Sequence, residues 1–568
     1  MKRVSGSPRR ALRRGRLLIV SACALGMLAG CSGSGDIEIS PSTVDNSTNN
    51  NGGGGNGGGG DVNPCASYQT SSGEVRQGRY DGTNCTYSPT FVDSGNNLKV
   101  DLTIPALPDG GAHIFEGSLF VGEAFNSDAE LQAAGIAEGG DGPTLTIEAG
   151  ATLAWQSNDK FMVINRGSQI FAVGTAEAPI TFTSASDVNG DLADDPEAVS
   201  QWGGLIINGF GVTNTCEYIG SRGEPGFALA AECHAAAEGS AGQDESFYGG
   251  DNDDDDSGRL EYVVVKHTGA EVGNGDELNG VTFNAVGRST VVRNLQTYST
   301  YDDGIEMFGG AVNIENFAAV YVRDDSIDID EGWIGTIDTA LVIQSAADGN
   351  HCIEADGLAS FDTLEDATID DFIARGLNSA PAISNLTCIV SPNGADSATH
   401  DPGAGWRFRE GVAPVISDSL LIASFGADSA DSNYCLRIDD ASLPLAESGA
   451  IELNAVIIAC QDRTAGGPLP GGQTVEDWAS SQGVVFATVT GSADPTANAD
   501  TGLQLLEGSP PIFSIDYATM VVDDAAPAGA PAGGSYIGAL SLGAENPFAR
   551  WTFGIFEDNR AQPLWIEP

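Results

Sequence analysis

The residues best equipped for chemistry in this chain are acids. Asp302, Asp303, Glu306, Asp324, Asp325, Asp328, Asp330 and Glu331 crowd into one short stretch, and Glu354 and Asp356 follow it. Oxygen ligands at this density suit a hard cation such as Ca²⁺. If equivalent positions stack on neighbouring strands, like charges stand about 5 Å apart, which is costly unless a cation bridges them or some carry protons. The plainer alternative is that Asp favours turns and faces water. A second candidate, Asp187-Val188-Asn189-Gly190-Asp191-Leu192-Ala193-Asp194-Asp195, supplies oxygen from Asp187, Asn189, Asp191, Asp194 and Asp195. It opens like an Asp-rich calcium loop, but its Gly comes too early for an EF-hand and the closing Glu is missing. The run Asp251-Asn252-Asp253-Asp254-Asp255-Asp256 reads first as a solvated loop and only second as a metal site. No Gly-x-Ser-x-Gly, His-Glu-x-x-His or Gly-Lys phosphate loop occurs.

Whether these acids can act together depends on the elements that carry them, beginning with the ends. The first 16 residues hold seven Lys and Arg, and Leu17 to Leu28 forms a 12-residue apolar stretch. A membrane-spanning helix needs about 20 apolar residues, so residues 1–30 read as a signal peptide. Leu28-Ala29-Gly30-Cys31 resembles the lipobox of bacterial lipoproteins. That resemblance implies a lipid on Cys31, anchorage in a membrane, and, with Ser32 rather than Asp next, the outer membrane at its periplasmic face or the cell surface. Residues 31–64 are rich in Gly, Ser and Asn and form a disordered tether spanning about 30 Å.

Removing the leader leaves 18 Lys and Arg against 79 Asp and Glu, a net charge of −61. Such a surface repels nucleic acid and anionic lipid and attracts cations. A hydrophobic content of 41% marks a globular chain rather than an acidic tail. Beyond Cys23 and Cys31, eight cysteines fall in order as Cys65/Cys85, Cys216/Cys233, Cys352/Cys388 and Cys435/Cys460, with no Cys-x-x-Cys among them. An even count outside the cytoplasm favours disulfides. Sequential pairing is expected, each bridge closing a local excursion and worth about 2–4 kcal/mol.

The middle of the chain repeats. Ile305-Glu306-Met307 returns as Ile327-Asp328-Ile329, and Val292-Arg293-Asn294-Leu295 as Ile314-Glu315-Asn316-Phe317, each 22 residues on. Every unit holds short runs of alternating apolar residues broken by Gly, Asp or Asn, the pattern of strands and turns. A period of 20–25 residues with about three strands per unit predicts an all-β solenoid, the parallel β-helix. Asn294 and Asn316 take equivalent places and are expected to form an inward side-chain ladder. The regular helix is expected over residues 146–545, interrupted by excursions at 213–258 and 357–380. Residues 65–145 are expected to cap its N-terminal end, and 546–568, with Trp551, Phe553 and Trp565, to close the other.

Four segments together resemble a family of secreted or lipid-anchored right-handed β-helix proteins of Gram-negative bacteria: Ala178-Pro179-Ile180-Thr181-Phe182-Thr183-Ser184, Trp202-Gly203-Gly204-Leu205-Ile206-Ile207-Asn208-Gly209, Asp276-Glu277-Leu278-Asn279-Gly280 and Asp302-Asp303-Gly304-Ile305-Glu306-Met307-Phe308-Gly309-Gly310. Trp551-Thr552-Phe553-Gly554 is similar to that family's closing segment. The resemblance covers about residues 145–568 and implies a fold, not an activity. Many right-handed β-helices are polysaccharide lyases or hydrolases. Pectate lyases set an Arg or Lys base beside calcium-binding carboxylates, and Arg323, Arg293 and Lys266 lie near the acids in sequence. Polygalacturonases use an Asp pair with a Gly-His-Gly that this chain lacks, although His267 and His351 are present. The reading favoured by the sequence is a monomeric cell-envelope lipoprotein with no catalytic residues, whose acidic, calcium-stabilised β-helix is a rigid binding or scaffolding surface for a glycan or an outer-membrane protein. A carbohydrate-active enzyme is the first alternative and a surface adhesin the second.

Overall fold

The 22-residue repeat closes into coils. Ile305–Phe308 pairs in parallel, residue for residue, with Val281–Asn284 on one side and Ile327–Asp330 on the other. The following run, Asn313–Val320, lies between Val291–Tyr298 and Thr336–Ile343 in the same way. Each central coil thus gives a short strand to a ten-stranded sheet and a long one to a second set of 18 strands. The chain is a parallel β-helix. The computed structural model describes residues 63–137, 139–238, 246–273, 276–346, 348–391, 405–423, 434–460, 463–487, 503–505, 513–515, 537–540 and 545–565. Residues 1–30, read above as a signal peptide, Cys31 and nearly all of the expected tether lie outside the described residues. Among the described residues no helix is long and apolar enough to cross a membrane.

Each long strand bends once, at a residue with positive φ. Tyr262, Asn294, Asn316, Thr339 and Asn385 sit there with φ of 54, 53, 58, 65 and 54°. The bend turns one strand into two faces, so a coil has three. Asn tolerates this left-handed region better than most residues, and Asn316 Nδ2 donates to Asn294 Oδ1 at 3.1 Å, so a ladder forms, but at a partly exposed corner rather than inside the tube as expected. Asn316→Val is expected to destabilise the protein by about 1–3 kcal/mol, from left-handed strain in a β-branched residue plus the lost bond. Urea unfolding measures it, and a change below about 0.5 kcal/mol would mean that the corner is unstrained.

Inward residues fill the tube. Val292, Leu295, Ile305, Met307, Ile314, Phe317, Ile327 and Ile329 belong to one continuous core, with Trp155 stacked on Trp202 at 4.2 Å nearby. The four disulfides pair in sequence order as expected, Cys65–Cys85, Cys216–Cys233, Cys352–Cys388 and Cys435–Cys460.

The ends depart from expectation. Parallel pairing already begins at Cys85–Tyr87, which lies beside His113–Phe115, so much of 65–145 is coil rather than cap. The N-terminal cover is the antiparallel pair Ser67–Gln69 and Val75–Gln77, with Tyr68 and Phe91 set over the core. At the other end, the last parallel strand among the described residues is Val485–Ala487, and the helix Val475–Gln482 lays Val475, Trp478 and Ala479 against the core. The closing segment 546–568 is no plug. Phe548, Trp551 and Ile555 lie along the side of the helix, on an outward face formed by Val264, Tyr298, Val320, Ile343, Ile389 and Ile422.

The two excursions fall near where they were expected. The first carries the hairpins Tyr218–Ile219/Ala228–Leu229 and Ala235–Ala236/Phe247–Tyr248, and the second the helix Asp366–Ala374. They join, because Arg375 donates to Gly220 O and Tyr218 O, and Phe372 and Leu377 pack with Tyr218 and Val212. Both stand beside the acidic part of the ten-stranded sheet.

Candidate metal centre

Alternate residues of the ten-stranded sheet point out of the tube, and stacking sorts them by chemistry. One outward column runs through Phe120, Val163, Ile206, Thr282, Glu306, Asp328, Glu354, Arg407 and Arg437 on successive rungs. It is apolar first, then acidic, then basic. The column beside it holds Asn208, Asn284, Phe308, Asp330, Asp356 and Arg409. Ala237 and Tyr248 of the first excursion roof the apolar rungs. The acidic rungs then follow at about 4.8 Å spacing.

A second row of acids lines the corner just before these strands. Asp303 Oδ1 accepts the Asp325 N–H at 3.0 Å, and Asp325 Oδ1 accepts the His351 N–H at 2.6 Å. Each side chain thereby caps the coil after it and is fixed in place. Gly304 makes the close stacking possible, since a Cβ there would stand 2.6 Å from Ser326 O.

Burial makes these charges expensive. Asp303, Glu306 and Asp325 are 7%, 7% and 4% exposed. Desolvation first, and then neighbouring carboxylates, push Asp303, Glu306, Asp325, Asp328 and Asp330 well above the usual carboxylate range. Asp356 is pushed up to about 6 by burial against the pull of Arg409. Glu331 is raised by burial, although Thr213 Oγ1 and Tyr248 OH donate to it at 2.6 and 2.7 Å. Cations reach the cluster from its basic end: Arg407 Nη1 lies 2.9 Å from Glu354, and Arg409 Nε lies 2.5 Å from Asp356.

Three sets of side chains bring ligand atoms within 4.8 Å of one another here: Asp302, Asp303 and Asp324; Asp303, Glu306 and Asp328; Asp325, His351 and Glu354. The first two are all oxygen and share Asp303, a donor set suited to Ca²⁺. A fourth set, Asp128, Glu232 and His234, lies elsewhere. Arg166 Nη2 donates to His234 Nδ1 at 2.7 Å, which leaves the ring proton on Nε2 and no lone pair there for a metal.

Other sequence candidates are not brought to this site. Asp187 lies in the helix Ala185–Val188 rather than in a metal loop, with Asn189 as its C-cap. Its carboxylate pairs with Lys266 Nζ at 2.7 Å and accepts from Thr183 Oγ1 at 2.7 Å. Asp191, Asp194 and Asp195 are exposed. The acidic run near 251 proves structural: Arg222 grips Asp253 through Nε at 2.7 Å and Nη2 at 2.8 Å, and Asp255 accepts the N–H groups of Gly139 and Phe210.

The expected bases are engaged elsewhere. Arg293 pairs with Glu315 at 3.0 Å on an exposed face, and Arg323 Nη2 donates to Glu197 O. Lys266, besides holding Asp187, sits 4.1 Å from the centre of the Phe553 ring. The basic residues that do join the acids, Arg407 and Arg409, were missed because the excursion after Asp356 hides their register in the sequence. Exposed large hydrophobic residues among those described are Val75, Val173 and Ile219, so no row of exposed aromatics offers a stacking platform for sugar rings.

A family model described as a pectate-lyase-like β-helix domain matches residues 125–442, more than half of the chain. No curated protein and no solved structure matches it.

Proposed function

Since the chain belongs to the family of pectate-lyase-like β-helix domains, we propose that its acidic sheet face holds calcium and, once loaded, binds an anionic polysaccharide at the cell envelope. The carrying observation is the outward column in which Glu306, Asp328 and Glu354 run directly into Arg407 and Arg437. Cations on the acidic rungs would cancel much of the negative charge that otherwise repels an anionic ligand from that column. Hard cations bound to carboxylates keep positions for further oxygen ligands, such as the carboxylates of a uronate chain. The leader and Cys31 support anchorage by lipid, and the tether would let the rigid domain reach its ligand. Arg293, Arg323 and Lys266 are all turned to other partners, which favours binding over cleavage. The family favours cleavage as the competing reading, because its model is named for a lyase.

Calorimetric titration with polygalacturonate, with and without millimolar Ca²⁺, tests the proposal. Binding is expected only with Ca²⁺, and Asp328→Asn is expected to weaken it at least about tenfold, or 1.4 kcal/mol. Affinity that ignores both calcium and Asp328 would sink the proposal. Calcium-dependent shortening of the polymer would replace it with the enzyme reading.

A further inference from the structure

Between the strands Leu119–Val121 and Thr144–Ile147 the chain leaves the tube as a short helix, Asp128–Ala134, capped by the Ser127 side chain and ended at Gly135. Leu131 and Ile136 pack with Phe210 as a small apolar cluster of their own, apart from the core. Two cavities adjoin this cluster, of about 600 and 460 Å³, and Ile136 and Arg166 belong to the walls of both. Each is large enough for a ligand rather than a lone water. In the larger one, Leu131, Phe210 and Leu229 give an apolar wall beside Asp128, Gln132 and Asp251. Asp251 is held there by the Leu229 N–H, which donates to its Oδ2 at 3.3 Å. The smaller one sets Asp101, Glu123 and Asp141 against Lys99, which is already paired with Glu123.

This chemistry sorts the ligands. Arg166 spends its terminal nitrogens on the protein: Nη1 donates to Cys233 O and Gly249 O, and Nη2 to Phe125 O and His234 Nδ1. Its charge already stands in the fields of Asp128 and Asp255. Burial, and then Arg166, push His234 below its usual range, so it adds no positive charge near neutral pH. The acids therefore outweigh the bases, and anions are repelled. Sugars fare little better. Phe210 is 7% exposed and the Arg166 guanidinium lies 5.2 Å from its ring centre, so its face is not open to a pyranose.

We propose that the paired cavities take a cationic peptide segment of a protein partner. A Lys or Arg of that segment would meet Asp128 and Asp251, and a neighbouring large apolar side chain would lie against Leu131 and Leu229. Two adjoining cavities of like character suit two side chains of one chain, which a small amine would not fill. No residue of these walls belongs to the acid sets of the sheet face, so the two readings stand or fall separately.

Fluorescence anisotropy of the purified protein tests this with a labelled peptide, acetyl-Lys-Phe-Gly-Lys-Leu amide, and its counterpart with Glu for Lys. The lysine peptide is expected to bind at least about tenfold more tightly. Asp128→Asn with Asp251→Asn should weaken it about tenfold, and so should Gln132→Trp, which fills the larger cavity from an exposed position. Asp194→Asn with Asp195→Asn, which removes two exposed acids elsewhere, should leave it unchanged. An equal loss in that control, or binding that survives Gln132→Trp, would mean general attraction to an acidic surface and overturn the proposal. Binding of neutral cellohexaose that Gln132→Trp abolishes would overturn it in favour of a glycan site. Calcium-dependent binding of polygalacturonate is expected to be the same in all of these variants, so a failure here leaves the sheet-face reading untouched.

Discussion

In chelator, the melting temperature should fall as pH rises from 4 to 7, and millimolar calcium should restore it at pH 7 while adding almost nothing at pH 4. The sign follows from the buried acids. Asp303, Glu306, Asp325, Asp328 and Asp330 are raised above their unfolded values, so the folded chain holds protons that the unfolded chain has already released. Their stabilisation is therefore fully present below about pH 4 and is lost as pH climbs toward the folded values. Asp356, lifted from 3.8 to about 6 by burial, adds to that fall. On the proposed reading, calcium would take the place of the missing protons and add about 2.7 kcal/mol at a hundredfold excess over Kd.

Two groups outside the acidic cluster serve as controls for this experiment. Asp255, also pushed up by burial to about 6, falls in the same direction but belongs to none of the clustered acid sets, so calcium should not rescue it. Asp187 goes the other way: burial opposes its charge, but His267, Lys266 and Thr183 outweigh it and lower its value. Its stabilisation is lost only as pH drops below the carboxylate range, which is why the comparison starts at pH 4. Scanning calorimetry at fixed protein concentration would decide it. A midpoint that climbs from pH 4 to 7 in chelator, or a calcium effect of equal size at both, would show that these acids are solvated turns.

How much of this could be read from residues alone follows from the repeat. Where the coils are uninterrupted, the 22-residue spacing of Ile305 and Ile327 gives the pairing directly, and alternation puts Glu306 and Asp328 on the same outward column. Insertions break the count. Glu354 comes 26 residues after Asp328 and Arg407 a further 53 after Glu354, so only coordinates show that they stack. Asp187 failed for a different reason. Ligand spacing says nothing about the partner on another rung, and Lys266 is such a partner. The side cover did leave a trace. In Asn313–Val320 and Thr336–Ile343 the first halves alternate, Asn-Ile-Glu and Thr-Ile-Asp, while the second halves, Phe317-Ala318-Ala319-Val320 and Ala340-Leu341-Val342-Ile343, are apolar throughout. A strand apolar on both faces must be buried on both.

That double burial makes truncation after residue 536 the most damaging simple change. The face it would bare stacks Val264, Gln296, Ala318, Leu341 and Thr387 in one column, and Tyr298, Val320, Ile343 and Ile389 in the next. The C-terminal segment is fastened to it specifically as well as by burial. Gln296 exchanges two 2.7 Å hydrogen bonds with the Phe553 backbone, Trp565 Nε1 donates to Gln344 O at 2.8 Å, and the Ala539 N–H donates to Thr387 Oγ1. Burying one large side chain is worth about 1.5–3 kcal/mol, so losing Phe548, Trp551, Ile555 and their partners together exceeds the stability of most domains. The truncated chain should be recovered as aggregate or as a dimer paired through this face, because a bared apolar strip of that length seeks a partner. Trp551→Ala alone should cost about 3–5 kcal/mol. Adding a synthetic peptide of residues 537–568 should return part of the truncated chain to a monomer in analytical ultracentrifugation. If the truncated chain stays monomeric and melts within two or three degrees of the full protein, the segment is an ornament on a self-sufficient helix and the apolar half-strands need another explanation.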